Sequence, residues 1–380
     1  MSSLLLAEHR GYLADKSRVV AFERALAAVV RPGSTVLDLG SGTGVLGLLA
    51  CRAGARHVYA VDGSTMVAVA RGVVRANGMA DRFTFVKAHS LRASLPERVD
   101  VVVADQLGPF GLEAGVFEAF ADARLRHLAP GGTLLPGRLR LLVAPVELPA
   151  LWSEVAFWDD RPAGIDLSPL GPLARNSRYF TTASPDDVLS QPGVVADTDP
   201  GDAGALPIRG TVRLIVERPG TLHGLAGWFD ATLSPGVGVS NSPLAADRLD
   251  RSHTFLPAAD PVVVAPGHEV TAEIAADPRD EQYRWTITVR DAAGTVIASS
   301  SHSTLEGTPL TREDLARTRP DATPRLTPDG EARRTVLSLC DGRRALHEIE
   351  GEVLDRHPDL FPDRTRASAF VTRVLRNDAS

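Results

Sequence analysis

An apolar run that passes straight into a string of glycines, VLDLGSGTGV over residues 36–45, constrains this chain more than any other stretch. Val36 to Leu39 read as a strand too apolar to carry a solvated face. Gly40, Gly42 and Gly44 then leave bare backbone before VLGLLACRAGA resumes as a helix ending at Gly54. In such a β-loop-α unit, glycines let the main chain approach a ligand closely while the next helix offers unpaired amide donors. The same punctuation recurs on both sides. SRVVAFERALAAVV is a helix stopped by Arg31-Pro32-Gly33, HVYAVDG a strand, TMVAVARGVVRANG a helix capped by Gly78, and FTFVKA and VDVVVAD are further strands. A helix around 113–128, a turn at Ala129-Pro-Gly-Gly132 and the strand TLLP follow. Alternating elements with fully apolar strands predict a parallel sheet covered on both faces.

The glycine spacing narrows the ligand. A dinucleotide fingerprint needs G-x-G-x-x-G, and Val45 stands where its third glycine belongs. No Lys-Ser/Thr pair follows, so a phosphate-cradling loop is poorly supported. Asp38, at the carboxyl end of the first strand, is placed to meet a ligand ammonium. Asp62 ends the next strand, where a carboxylate can accept from both ribose hydroxyls. Either acid alone also suits a strand-end turn or a helix cap. Jointly, with the glycines between them, they point to a ligand that carries a ribose and an ammonium.

From about Arg138 the periodicity changes. RLRLLVAPVEL, TVRLIVER, LHGLAGWFDATL, PVVVAPGHEVTAEIA, YRWTITVRD and TVIASSSH are strand-like segments divided by Pro, Gly and Asp, and they predict an antiparallel barrel over 138–305. Residues 159–205 form a long proline-rich excursion within it. The last segment, 306–380, reads as a small helical domain with room for a two-stranded wing, a winged-helix arrangement. The expected class is therefore α/β: a Rossmann-like domain over 1–137, an antiparallel β-barrel domain, and the helical C-terminal domain. With a net charge of −6 the chain has no basic footprint for nucleic acid. Cys51 and Cys340 are its two cysteines, which gives neither a disulfide framework nor a C-x-x-C metal knuckle, so no metal site is expected. MSSLLLAEHRGYLADKSR is too charged for a signal segment, and no apolar run approaches membrane length, so a cytoplasmic protein is expected.

These residues carry a resemblance. DLGSGTG followed by AVDGS resembles the S-adenosylmethionine loop and ribose acid of class I methyltransferases, and the whole of VLDLGSGTGVLGLLACRAGARHVYAVDGS is similar to the protein arginine methyltransferase branch. The resemblance implies S-adenosyl-L-methionine as cofactor, bound by Asp38, Gly40, Gly42, Gly44, Asp62 and Gly63. His9-Arg10-Gly-Tyr12-Leu13-Ala-Asp15-x-x-Arg18 is similar to the family's N-terminal segment, which makes Tyr12 a lid residue and Arg18 the partner of the cofactor carboxylate. By the same match His89 and Ser90 border the adenine.

VVVADQLGPFGLEAG sets Asp105 and Glu113 on one loop off the fourth strand, the edge where open α/β sheets bind ligands. It resembles the family's double-glutamate loop, in which two carboxylates grip a guanidinium. Two departures stand out. The first acid is one methylene shorter, and the spacing is one residue tighter. Leu249-Asp250-Arg251-Ser252-His253 also replaces the family's Thr-His-Trp motif, leaving His253 as the nearby catalytic candidate. The resemblance implies methyl transfer to a nitrogen or oxygen of a peptide, protein or natural product, and the departures turn the expected acceptor toward a small molecule or peptide. A homodimer is implied, because 159–205 occupies the slot of the family's dimerisation arm. TPDGEARRTVLSLCDGRRALHEIEGEVLDRHPDLF is loosely similar to PqqD-like modules, which implies a leader peptide at the C-terminal domain. Two alternatives stay open: a catalytically inactive scaffold that binds a partner peptide, and a nicotinamide-dependent oxidoreductase.

Overall fold

The computed structural model describes residues 2–378. It divides into two compact units, Met1–Pro309 and Leu310–Ser380. In the first, helices α1 (Ser2–Ala14) and α2 (Lys16–Val29) precede strand β1 (Thr35–Leu39). The alternation continues through α3 (Val45–Arg52), β2 (His57–Val61), α4 (Met66–Ala76), β3 (Phe83–Val86), β4 (Val99–Val103), α5 (Val116–Arg126) and β5 (Leu128–Leu135).

These strands form a five-stranded parallel sheet in the order β3-β2-β1-β4-β5. β1 lies between β2 and β4, with Leu39 opposite Val61 and Asp38 opposite Val103. The chain therefore leaves β1 toward one side and later returns on the other. In open sheets such a reversal is where a ligand crevice forms, here at the carboxyl ends of β1 and β4, where Asp38 and Asp105 stand. One local expectation differs. Ala129 to Gly132 is not a turn but part of β5, where Leu128 pairs with Val99 and Thr133 with Val101, so the intervening residues bulge out of register. Gly131 supplies the left-handed residue at φ 76° that this bulge requires.

The antiparallel part begins at β6 (Arg138–Val146), followed by α6 (Pro149–Ala156), α7 (Gly171–Arg175), β7 (Tyr179–Thr181), β8 (Gly193–Thr198), β9 (Ile208–Ile215) and the long β10 (Gly220–Ser234). β11 (Val237–Ser240), β12 (His253–Val264), β13 (Glu269–Asp277), β14 (Gln282–Arg290) and β15 (Val296–Ser303) complete it. One sheet runs β7-β12-β10-β6-β8 with β11 beside β10, and the other runs β15-β14-β13-β9. Their edges meet at β8 and β9, where Gly193 and Gly210 let the two backbones close together. The stretch 159–205 is thus not one excursion: it holds short helical turns and α7, but also β7 and β8, which belong to the first sheet. One hydrophobic core joins the layers, with Phe110, Phe117 and Phe120 from the α/β part sharing it with Leu139, Leu141 and Phe229 from the strands.

The second unit holds α8 (Arg312–Arg317), α9 (Pro328–Leu339), α10 (Leu346–Arg356) and α11 (Arg364–Asp378). Its own core is built on Val336, Ile349, Val353, Phe361, Phe370 and Val371. No strand occurs among its described residues, so the winged-helix expectation is not met. The sequence offers no alternating run there for a hairpin to use, and a module that adds a leader peptide to a strand edge has no edge to offer.

A Cβ at Gly210 would stand 2.1 Å from the Val195 carbonyl oxygen, whereas one at the helical, exposed Gly72 meets nothing within 4 Å. Gly210→Ala is expected to destabilise the protein by about 1–3 kcal/mol through forced backbone displacement. Gly72→Ala is expected to be neutral or to stabilise it by up to about 1 kcal/mol. Chemical denaturation of the two variants checks the contrast, and equal effects would contradict the close approach of β8 and β9.

Candidate active site

Three backbone positions with positive φ shape the loop after β1: Gly40 (65°), Gly42 (51°) and Gly44 (79°), the last capping α3. Gly40 and Ser41 donate to the Val61 carbonyl, tying the loop to the end of β2. Asp62 is held there as well. Its Oδ2 accepts from the Gly42 amide at 2.9 Å, and its Oδ1 accepts from the Ser64 amide at 2.7 Å and hydroxyl at 2.6 Å. Gly63 packs against the Ala88–His89 backbone, which brings His89 and Ser90, at the end of β3, beside the same crevice. Asp38 is fully buried beneath the loop, where Oδ2 accepts from the Gly47 amide at 2.9 Å.

The loop is covered from above by α1. His9 lies in the space a side chain on Gly42 would fill, and Gln106 does the same at Gly40. Asp15 caps α2 by accepting from the Arg18 amide, and its other oxygen accepts from the Asp250 amide at 3.0 Å, fastening the N-terminal helices to the loop before β12. Tyr12 supplies a carbonyl to Arg18 and a ring face to both Arg18 and Arg251.

Asp105 and Glu113, on the loop after β4, are both deeply placed and both already hold arginines of this chain. The Arg18 guanidinium pairs with Asp105 through Nε, and Arg251 reaches the same carboxylate at 3.3 Å. Glu113 pairs with Arg178 at 2.7 Å. It also accepts from the Phe110 and Leu112 amides, from the Thr254 hydroxyl at 3.2 Å and from the Tyr283 phenol at 3.3 Å. Burial, then the Glu113 charge, push the Tyr283 phenol up, so it stays a donor. Gly108 is needed where it stands, because a Cβ there would lie 2.3 Å from the Glu113 carboxylate. Asn241 fixes this loop to the strands by donating to the Pro109 and Ser252 carbonyls.

His253 does not join the acids. It is wholly buried, Nδ1 accepts from the Ala183 amide at 3.0 Å, and Nε2 lies 2.6 Å from the Asn241 carbonyl. With both ring nitrogens committed to backbone, the imidazole is locked as a neutral donor and acceptor, and burial holds its pKa down. His253 thus holds backbone on both sides and reaches neither acid, and its neighbour Thr254 is the one that faces Glu113. Arg178, Arg251, Thr254, Tyr283 and Asn241 were not anticipated. Only Arg251 had a local signal, inside the altered LDRSH stretch.

The site has the chemistry of a cation-binding crevice. Buried polar atoms without a partner cluster at the ends of β1 and β4: Asp38 Oδ1, Ser41 Oγ, Asp105 Oδ1 and Gln106 Oε1. Asp105 Oδ1 and Gln106 Oε1 can only accept, and Asp38 Oδ1 does so once ionised, so the crevice suits a ligand that brings donors and positive charge. The donor-rich ammonium and ribose of S-adenosylmethionine fit that set.

Residues 22–137 match the family described as ribosomal protein L11 methyltransferase, and residues 138–289 match the arginine methyltransferase oligomerization subdomain. Protein arginine N-methyltransferase 6 of Xenopus tropicalis is 31% identical over 287 residues, covering 72% of this chain and 84% of its own length. The chain belongs to the protein arginine N-methyltransferase family. It is an S-adenosylmethionine-dependent methyltransferase. A plant relative, the probable protein arginine N-methyltransferase 6 of Arabidopsis thaliana, is 29% identical over 284 residues, covering 72% of this chain and 63% of its own. The fold is similar to that of the Trypanosoma brucei PRMT1 enzyme–prozyme heterotetrameric complex with AdoHcy, with a TM-score of 0.71 at 22% identity over 78% of this chain and 97% of that one. Arabidopsis thaliana protein arginine methyltransferase 10 gives a TM-score of 0.68 at 21% identity over 79% and 98%.

Burial pushes the Asp38 carboxyl up to about 7, with the Asp62 charge adding to the rise and the Gly47 amide opposing it. Its unfolded value is about 3.9, so the folded state holds this proton over a window in which the unfolded chain has lost it. Stability contributed by Asp38 is thus full below about pH 4 and lost as the pH rises to about 7, by at most about 4 kcal/mol. Asp38→Asn is expected to flatten that decline in denaturation curves of the ligand-free protein. An unchanged slope between pH 4 and 7 would contradict it.

Proposed function

We propose that the chain transfers a methyl group from S-adenosylmethionine to a guanidinium nitrogen of an arginine in a protein or peptide acceptor. One observation carries the reading: Asp105 and Glu113 leave a single loop, each already holds a guanidinium of this chain, and Asp105 Oδ1 is one of the buried acceptors without a partner. A guanidinium is planar, permanently charged and rich in donors, and carboxylates match it best. The name shared by the relatives supports arginine as the acceptor.

In this assignment residues 1–137 bind the cofactor, residues 138–305 carry the acceptor surface, and 306–380 form a separate helical domain. Asp62 takes the ribose hydroxyls, Asp38 the ammonium, and Arg18 the carboxylate, with Gly40, Gly42, Gly44 and Gly63 giving clearance, His89 and Ser90 bordering the adenine and Tyr12 closing over it. The bound cofactor supplies an electrophilic methyl on a sulfonium. The chain's own contribution is position: the acids hold one acceptor nitrogen in line, and Asp105 Oδ1, which has no partner, is available to the proton that the nitrogen gives up. The name of the family matched by residues 138–289 supports a homodimer, with the α6–α7 segment as the contacting arm. Two unpaired cysteines, Cys51 buried and Cys340 exposed, agree with a reducing cytoplasm. Among the described residues no helix is long and apolar enough to cross a membrane.

Calorimetric titration with S-adenosylhomocysteine, paired with methyl transfer from labelled cofactor to arginine-containing proteins, tests the division of roles. Asp62→Ala is expected to weaken cofactor binding about 10-fold or more, as loss of charge-assisted hydrogen bonds does. Glu113→Gln is expected to keep binding and lose roughly 100-fold or more in turnover. Equal loss of both properties in Glu113→Gln would count against the assignment.

A further inference from the structure

The Glu113 carboxylate offers about four lone-pair sites. The Phe110 and Leu112 amides, Thr254, Tyr283 and Arg178 use them all. Asp105, by contrast, keeps Oδ1 without a partner despite its two arginines. The two acids are therefore unequal: one retains a vacancy for an acceptor and the other does not.

The group on Glu113 is itself a guanidinium. Arg178 Nη1 lies 2.7 Å from Glu113 Oε1, and the guanidinium carbon sits 4.5 Å from the Tyr283 ring centroid and 5.0 Å from that of Phe180. Its side chain is 16% exposed and that of Glu113 13%, so the pair is largely withdrawn from water. A carboxylate with aromatic faces around a planar cation is the environment that a bound arginine acceptor needs.

We infer that Arg178 is an internal occupant of the acceptor grip, a specificity-determining residue that an incoming guanidinium has to displace from Glu113. This rests on the reading of Glu113 as part of that grip. Two like charges cannot share one saturated carboxylate, so only an acceptor able to exchange with Arg178 engages both acids. The exchange is mechanically accessible. Arg178 lies in the short link between α7 and β7, and β7 is a three-residue edge strand that, among the described residues, is laddered to His253, Thr254 and Phe255 of β12.

The test uses the full chain with S-adenosylhomocysteine bound and a Gly-Arg-Gly-repeat peptide as probe, with binding read by calorimetry and turnover followed separately with labelled S-adenosylmethionine. Arg178→Met keeps the stacking stem and removes the charge, and is expected to bind the peptide at least 10-fold more tightly than the native protein. Arg178→Lys keeps a cation on Glu113 and is expected to stay within about 3-fold of native, while its melting temperature reports whether the pair is needed for folding. Equal or weaker binding by Arg178→Met, or no peptide binding by any form, would overturn the inference. So would weaker binding by Arg178→Lys if Arg178→Met fails to fold. Tighter binding by Arg178→Met without methylation in any form would sink arginine as the acceptor and leave the displacement intact. Methylation with unchanged affinity would do the reverse.

Discussion

A single half-buried carboxylate, that of Glu113, ties the loop after β4 to both antiparallel sheets. It sits on the loop from β4 of the parallel sheet, yet it accepts from Thr254 on β12, from Tyr283 on β14 and from Arg178 before β7. Both antiparallel sheets and the cofactor-side loop thus converge on two oxygen atoms. In a low-dielectric setting such a network is worth more than its separate bonds, and any member removed leaves costly unpaired neighbours. The loop cannot move independently of the strands. Where an acceptor would enter is set by the same bonds that set the fold.

The other half of the site follows from strand order. Because β1 lies between β2 and β4, the residues at the carboxyl end of each strand, Asp38 with the glycines that follow, Asp62 and Asp105, are brought to one edge without any long loop. The unpartnered Asp38, Ser41, Asp105 and Gln106 atoms gather at that point. Native interiors rarely tolerate such a cluster unless a ligand completes it.

What could be read in advance was the local part. The apolar strand, the glycines and the acid ending the next strand are all consequences of one short backbone geometry, so residues 36–63 announced themselves, and so did the helices of the C-terminal unit through period and Gly342. What could not be read depends on contacts between residues far apart in the chain. Glu113 meets Tyr283 across 170 positions and Arg251 meets Asp105 across 146, distances over which no periodicity carries information. The setting of His253 was hidden for the same reason. A histidine near an altered motif looks catalytic until its two nitrogens are found on the Ala183 and Asn241 backbone. The bulge in β5 was misread because Pro-Gly-Gly signals a turn equally well whether the chain reverses or merely slips register.

The claim on which the account stands is that the crevice between β1 and β4 receives a sulfonium nucleoside between acids at its two ends. A crystal soaked with S-adenosylhomocysteine tests it most directly. The expected result is the nucleoside along the glycine loop, ribose on Asp62 and amino-acid end over Asp38. An empty crevice, or a nucleoside bound elsewhere with those acids untouched, would contradict it.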